Sequence, residues 1–296
     1  MIIDPSETTA KDFHALLLGS VSPRPIALAS TVDKDGNVNL SPFSFFNAFS
    51  IHPPVLIFSA ARKVRDNTTK HTLDNILETN EVVINTVNFP MVEQVSLAST
   101  EYAKGVNEFI KAGLTEVPSI KVKPPRVRES PVSFECKVQL VQTLGHEGGA
   151  GNLIFCEIVL VHAHDSIFDE NKRIDPHKID LVARMGADYY CRASGSNVFE
   201  IPKPIMTKGI GIDQLPKNIR ESRVLTGNNL GRLANIEKIP SPEEVKLFRE
   251  SVDVEFLNHA QGENKEIELH RYAQSLLQLG EIKKAWLVLL STDENF

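Results

Sequence analysis

The 296-residue chain is poor in cysteine: Cys136, Cys156 and Cys191 lie far apart and form no CxxC pair. So sparse and odd a set argues against a disulfide framework and a structural zinc site, and suits buried thiols in a reducing compartment. Positive charge is not in excess either. Lys and Arg number 32 against 38 Asp and Glu, a formal net charge of -6. A non-specific nucleic-acid binder needs a basic surface, so that class is demoted. No apolar run approaches the ~20 residues that span a bilayer. The opening Met-Ile-Ile-Asp-Pro leads to Lys11 and Asp12, not to a basic segment followed by an apolar core. A soluble cytoplasmic protein is expected, without nucleic-acid or membrane partners. HExxH, GxSxG and Walker motifs are also missing.

What the chain does have is 42% hydrophobic residues, enough for a full-sized core in one large domain or two ordinary ones. Its apolar segments are strand-sized. Residues 24–32 are β-rich, and Asp33-Lys34-Asp35-Gly36-Asn37 then signals a hairpin, because glycine takes the positive φ of a tight turn. Residues 38–41, 55–59 and 82–87 read as short strands. Residues 132–144 and 153–164 read as a longer pair around the glycine-rich loop 145–151, well beyond the usual strand of ~5–6 residues. Long antiparallel hairpins with few helices suggest a barrel, since closure removes exposed edges. Short helices are expected at 13–18, 68–78, 91–100 and 106–112.

Composition shifts near residue 196. Residues 1–195 read as one mainly β domain with flanking helices, 196–240 as an irregular connector, and 241–296 as a helical extension. Ser241-Pro242-Glu243-Glu244 carries the cap, the first-turn proline and the capping-box acid of a helix start. Leu269, Tyr272, Ala273, Leu276 and Leu277 then form one stripe, and Gly280 is placed to end that helix before another over 281–290. The pair resembles a single tetratricopeptide unit, without other copies, or an ordinary helical hairpin.

Two segments carry possible chemistry. In Ser59-Ala60-Ala61-Arg62-Lys63-Val64-Arg65-Asp66-Asn67-Thr68-Thr69, three cations fall within four residues, before a helix expected to begin around Thr68. A helix N-terminus offers unpaired N–H groups and the positive end of a dipole. Arg62, Lys63 and Arg65 add charge-assisted donors; Ser59, Asn67, Thr68 and Thr69 add neutral ones. The pattern suits a phosphate, and also a solvated basic turn capped by Asp66 or Asn67. Residues 39–50 interleave four Phe with Ser and Asn. They suit the wall of a flat heteroaromatic ligand, or a core filled by phenylalanine.

His162 and His164 share a strand face, and with His146 or Asp165 they offer metal ligands. Such pairs are more often surface or core residues, and no metal is expected. Gly148-Gly149-Ala150-Gly151 joins two antiparallel strands, so it is not a dinucleotide fingerprint, and a nicotinamide would not be held by a Rossmann fold.

Taken together, Arg24-Pro25-Ile26-Ala27-Leu28, Asn39-Leu40-Ser41-Pro42-Phe43-Ser44-Phe45-Phe46-Asn47 and Pro53-Pro54-Val55 resemble the flavin reductase-like, FMN-binding split β-barrel family. Lys63-Val64-Arg65-Asp66-Asn67-Thr68 is similar to that family's phosphate loop. Phe134-Glu135-Cys136 and Arg184-Met185-Gly186-Ala187-Asp188-Tyr189-Tyr190 match its later strands and tail. The resemblance covers about residues 10–195 and leaves 200–296 outside.

The resemblance implies a homodimer with FMN near the subunit interface. It places Ser44, Phe45, Phe46 and Asn47 along the isoalloxazine. Ser59, Arg62, Lys63, Arg65, Asn67 and Thr68 would hold the phosphate, with Asn85 and Arg184 as further contacts. It also implies an NAD(P)H-dependent flavin reductase, hydride passing from NADH or NADPH to flavin N5, with the flavin and not a catalytic side chain doing the chemistry. Two alternatives stay open: a non-enzymatic FMN carrier that exchanges electrons with a redox protein, and a split-barrel oxidoreductase acting on a small organic molecule.

Overall fold

Strand β1 (Ala27–Val32) turns back into β2 (Val38–Phe43) through the expected hairpin. The Asp33 carboxylate accepts the amides of Asp35 and Asn37 at 2.9 and 2.8 Å, and Gly36 takes φ +88°. Strands β3 (Phe46–Ile51), β4 (Pro54–Ser59), β5 (Glu81–Asn85), β8 (Val132–Thr143) and β9 (Asn152–Ala163) complete one antiparallel sheet, in the order β2-β1-β5-β8-β9-β4-β3. Two small ladders stand apart: β6 (Glu116–Val117) with β7 (Arg126–Val127), and β10 (Val182–Arg184) with β11 (Tyr190–Arg192). This computed structural model describes residues 1–204, 207–250 and 265–291, which divide into the units Met1–Phe199 and Glu200–Phe296.

The two edge strands, β2 and β3, are consecutive in the chain and separated only by Ser44 and Phe45. Strands in a sheet lie ~4.8 Å apart, so two residues cannot span seven strands laid flat. The sheet must curl until its edges meet. No ladder joins β2 to β3, so the barrel is split along that seam.

Inside the barrel Phe43 and Phe58 meet with ring centroids 5.1 Å apart, among Ile84, Ile154, Cys136 and Cys156. Burial pushes both of these thiols up, which leaves them unreactive. Leu73 and Ile76 of α2 (His71–Thr79) join this cluster. The other face of β1 is buried too: Leu28 packs with Met91, Val95 and Phe109 beside α3 (Val92–Leu97) and α4 (Glu108–Ala112).

The helices differ from expectation at their ends. Helix α1 (Ala10–Ser20) starts early because Thr9 accepts the Asp12 amide at 3.1 Å, and it runs through Gly19 past the expected end at residue 18. Helix α2 starts late. Asp66 Oδ1 accepts both the amide and the hydroxyl of Thr68, at 3.0 and 2.6 Å, and Asn67 takes φ +56°, so the chain turns before it winds. The phenylalanine run divides between its two readings. Phe43 fills the barrel, whereas Phe49 and Ile51 on the edge strand β3 are 65% and 95% exposed.

After the short helix α5 (Pro176–Ile179) the second unit is helical. The stretch read as a connector contributes α6 (Lys217–Arg220) and α7 (Gly227–Ala234). Their Ile219 and Leu233 are fully buried with Val245 of α8 (Pro242–Arg249), and with Leu269, Leu277 and Trp286 of the helices Lys265–Gln278 and Ile282–Leu290. Trp286 donates its indole N–H to the Leu233 carbonyl at 3.1 Å. The capping box at Ser241 and Glu244 forms both of its bonds, and Gly280 ends its helix at φ +82°. Among the described residues no helix is long and apolar enough to cross a membrane.

Candidate functional site

The loop between β8 and β9 folds onto the basic loop after β4. Arg62 donates its amide to the Ala150 carbonyl at 2.9 Å and accepts the Gly149 amide at 3.0 Å, while Asn67 Nδ2 donates to the His146 carbonyl at 2.9 Å. The approach is close enough to require glycine. A Cβ on Gly148 would sit 3.0 Å from the Val64 carbonyl oxygen, and one on Gly151 would sit 2.8 Å from Ser59 Oγ. The glycines that are no dinucleotide motif therefore let one loop brace the other.

The three cations of the basic loop have different duties. Arg62 is turned inward on its own loop, donating to the Asn67 side chain at 2.6 Å and to its carbonyl at 2.5 Å. Arg65 is exposed and pairs with Asp66 at 3.2 Å and Glu101 at 3.0 Å. Lys63 lies 3.5 Å from the same Glu101 carboxylate, and Lys70 lies 3.7 Å from it. Hydrogen bonding to Arg65, with Lys63 and Lys70 nearby, holds the Glu101 carboxyl below its usual range. Donation from Thr68 holds Asp66 at about 2. Both are therefore charged at neutral pH.

Lys63, Lys70 and Glu101 border a cavity of about 40 Å³ at the start of α2, whose lining also includes Asn39, Ser41, His71, Thr72 and Glu108, the last with its carboxylate on the Leu40 amide. That volume takes a group of phosphate size, not a whole nucleotide. Lys70 occupies the N-cap position without a capping side-chain bond. Nothing among the described residues accepts from the amides of His71 and Thr72. The helix end expected at Thr68 is thus three residues further on. Lys70, His71 and Thr72 escape the sequence reading because Thr68 looks like the better cap. Only the apolar spacing of Leu73 and Ile76 hints at the later start.

Strand β2 leads from this cavity to the barrel seam. Ser41 lines the cavity, and Ser44 follows three residues later, about 10 Å at ~3.3 Å per residue. Phe45 accepts the Ser59 amide through its carbonyl at 2.8 Å, which ties the seam to the start of the basic loop. Phe46 is partly buried, and Asn47 is exposed with its side chain turned onto the Ala48 amide.

Buried Arg24 organises the other side of Ser44. Its guanidinium reaches Ser44 Oγ at 3.4 Å, the carbonyls of Leu18 and Val21 at 2.6 Å and that of Met185 at 2.9 Å. Burial, with the Arg184 charge nearby, lowers its pKa from the arginine value. Arg24 and Arg184 exchange backbone hydrogen bonds, so Arg184 arrives beside the seam, stacked on Tyr190 at 4.6 Å.

Asn85 is not brought to this surface. It is fully buried, its Oδ1 accepting from the Val127 amide at 3.0 Å and Ser133 Oγ at 2.7 Å, its Nδ2 donating to the Leu28 carbonyl at 3.0 Å. The side chain is spent on joining β5 to its neighbours. His162 and His164 do not converge on a metal site. His162 bonds Glu135 and His164 is exposed, and among the described residues no group of three or more metal-type side chains assembles.

Residues 18–178 match the family model described as a flavin reductase like domain. The chain belongs to the flavin reductase-like family. It is 41% identical over 189 residues to a protein of Aquifex aeolicus, covering 64% of this chain and 94% of that one. Among solved structures it is similar to nitrilotriacetate monooxygenase component B from Bacillus cereus, at 28% identity and a TM-score of 0.63, over 68% of this chain and 98% of that one. It is likewise similar to the 2-nitrobenzoate 2-nitroreductase of Pseudomonas fluorescens, at 26% identity and a TM-score of 0.63, over 71% and 100%. These likenesses fit a flavin reductase-like domain confined to the first unit.

Asn85→Ala in this flavin reductase-like domain would strand the Val127 amide and the Ser133 hydroxyl. A stability loss of about 1–3 kcal/mol per stranded group is expected, read by denaturant unfolding with and without added flavin. A variant of unchanged stability that binds flavin poorly would instead return Asn85 to the ligand surface.

Proposed function

We propose that the first unit binds FMN and acts as an NAD(P)H-dependent flavin reductase. One observation carries the reading: an uncapped start to α2, flanked by Lys63 and Lys70 and open to a cavity of phosphate size, beside the seam of a flavin reductase-like barrel. The amides of His71 and Thr72 and the two lysine ammonium groups would hold the phosphate. Arg65 pairs with Glu101 of the lining, and Arg62, Asn67 and Thr68 shape the loop. Ser44, Phe45, Phe46 and Asn47 offer backbone and side-chain groups for the isoalloxazine, with Arg184 alongside. FMN, once bound, supplies a hydride acceptor at N5 for NADH or NADPH. The chain's own part is to orient the ring and neutralise the phosphate.

Glu101 fits the same reading as a stand-in anion. Its carboxylate draws Lys63, Arg65 and Lys70 together, and an incoming phosphate competes for those cations. The likeness to a 2-nitrobenzoate reductase favours a second reading, an oxidoreductase acting on a small organic molecule.

A homodimer accords with the exposed edge. Strand β3 leaves a row of backbone groups unpaired and carries Phe49 and Ile51 at 65% and 95% exposure, with Phe45 just before it at 38%, while Val159 on β9 is exposed as well. Apolar edges of this kind are normally covered.

Three measurements test these statements. The purified protein should show a flavin absorption band that bleaches rapidly with NADH or NADPH under anaerobic conditions. Failure to take up FMN at all removes the reading, and a band that bleaches only with an added redox protein points to the electron carrier. Lys70→Ala should weaken FMN at least about tenfold and riboflavin hardly at all, whereas Glu101→Gln should tighten FMN by about two- to fivefold, most at low salt. Equal losses for both ligands would remove Lys70 from the phosphate. In sedimentation equilibrium the wild type should be a dimer and Ile51→Lys a monomer; a monomeric wild type ends the dimer proposal.

A further inference from the structure

The long hairpin has a second feature at its other end. Ser133 lies ten residues before the end of β8, about 30 Å at ~3.3 Å per residue, so it is remote from the loop that braces the basic segment. Around it is a cavity of about 530 Å³, within the range of sites for small organic ligands. Its charged lining is Arg126 and Arg128, and the rings of His162 and His164 at the end of β9 line it too. Ser130 and Ser133 also face it, but their hydroxyls donate to the Thr86 carbonyl and to Asn85. Val117 and Val161 supply apolar wall.

No acidic side chain lines this cavity. The carboxylates nearest in sequence are engaged elsewhere: Glu129 accepts the Thr115 amide at 3.1 Å, and Glu116 accepts from Asn107 at 2.7 Å. Arg126 is steadied by the Pro118 carbonyl at 3.2 Å. The Arg128 guanidinium is exposed, and no hydrogen bond or ion pair engages it among the described residues. Two guanidinium groups lining one cavity add like charge to it, and a chain of net charge -6 has carboxylates to spare for pairing them. Folding alone does not call for this arrangement.

His162 is held in a defined state. Its Nε2 lies 2.6 Å from the carboxylate of Glu135, which is fully buried. Burial by itself would raise that carboxyl, but donation from the Ile120 amide, His162 and the Lys121 amide outweighs it and keeps it below the usual range. A charged Glu135 requires Nε2 to carry a proton, so Nδ1 is the ring's unengaged nitrogen. The buried carboxylate is spent on three donors and fixes the imidazole at the cavity wall.

We propose that this cavity binds a small organic carboxylate, its charged end between Arg126 and Arg128 and its apolar body against Val117 and Val161. Guanidinium forks match a planar carboxylate in geometry, and the aliphatic wall favours a ligand with a hydrocarbon body over a bare inorganic anion. The proposal stands independently of the flavin reading, since none of these residues belongs to the phosphate cavity or the seam.

Isothermal titration of the full chain with benzoate tests it, with benzyl alcohol and inorganic phosphate as comparison probes and Arg128→Gln as the variant. Arg128 is exposed, so its replacement leaves the fold intact. One benzoate site per chain is expected. It should weaken at least about tenfold in Arg128→Gln, ignore benzyl alcohol, and bind phosphate more weakly than benzoate. FMN affinity should be the same in both proteins, which separates this site from the flavin site. Absence of benzoate binding, equal affinity in the variant, or phosphate binding as tight as benzoate would each overturn the proposal.

Discussion

The link Ser44–Phe45 is the constraint on which the rest depends. It joins the first and last strands of the sheet, so the seven strands can pair in their observed order only if the sheet rolls up. Rolling brings the basic loop after β4 beside the end of β2, because β4 is hydrogen-bonded to β3 and β3 starts where the link ends. The candidate ring surface and the candidate phosphate cavity are neighbours for this reason. Buried Arg24 then fixes the seam from the other side, using three carbonyls and one hydroxyl to satisfy a guanidinium that burial would otherwise make costly.

Much of this architecture is legible in the residues. The Asp-Gly turn, the two long strands and the glycine-rich loop between them each rest on local chemistry: positive φ, alternation, and a composition that cannot continue a strand. The barrel follows from them, and the capping box at Ser241 is read directly. What escapes is non-local. Asn85 looks like a polar residue at the end of a strand, available to a ligand. Only the approach of Val127 and Ser133, 42 and 48 residues away in sequence, shows that its amide is consumed in the interior. The start of α2 is missed for a related reason. Thr68 has the chemistry of a cap, but Asp66 takes its amide and hydroxyl first, and the helix must wait for Lys70. Local preference was present at both places, and a competing partner decided the outcome.

The connector teaches the same lesson at larger scale. Gly, Pro, Asn and Lys over residues 196–240 describe a backbone without long periodic elements, and the helices formed there are indeed short. Composition does not reveal that Ile219 and Leu233 are fully buried among the helices that follow. A short helix displays too few apolar positions to show a period, so its burial depends on the partner surface. Trp286 supplies that surface, with its indole nitrogen closing on the Leu233 carbonyl.

Electrostatically, the first unit concentrates cations in two places and treats them differently. At the basic loop Glu101 sits within 3.0 to 3.7 Å of three of them, so the charge is already partly answered and an entering anion must win an exchange. At the far end of the hairpin no carboxylate lines the cavity, and Glu135, which bonds His162 of that lining, is committed to it and to two backbone amides. An exchange site discriminates by charge number, because only a strong anion displaces an internal carboxylate. An open cationic cavity with aliphatic walls discriminates by the body that the charge carries. One hairpin thereby stands between two cationic places that would favour different anions, its loop bracing the basic segment and its far end carrying His162 to the second cavity.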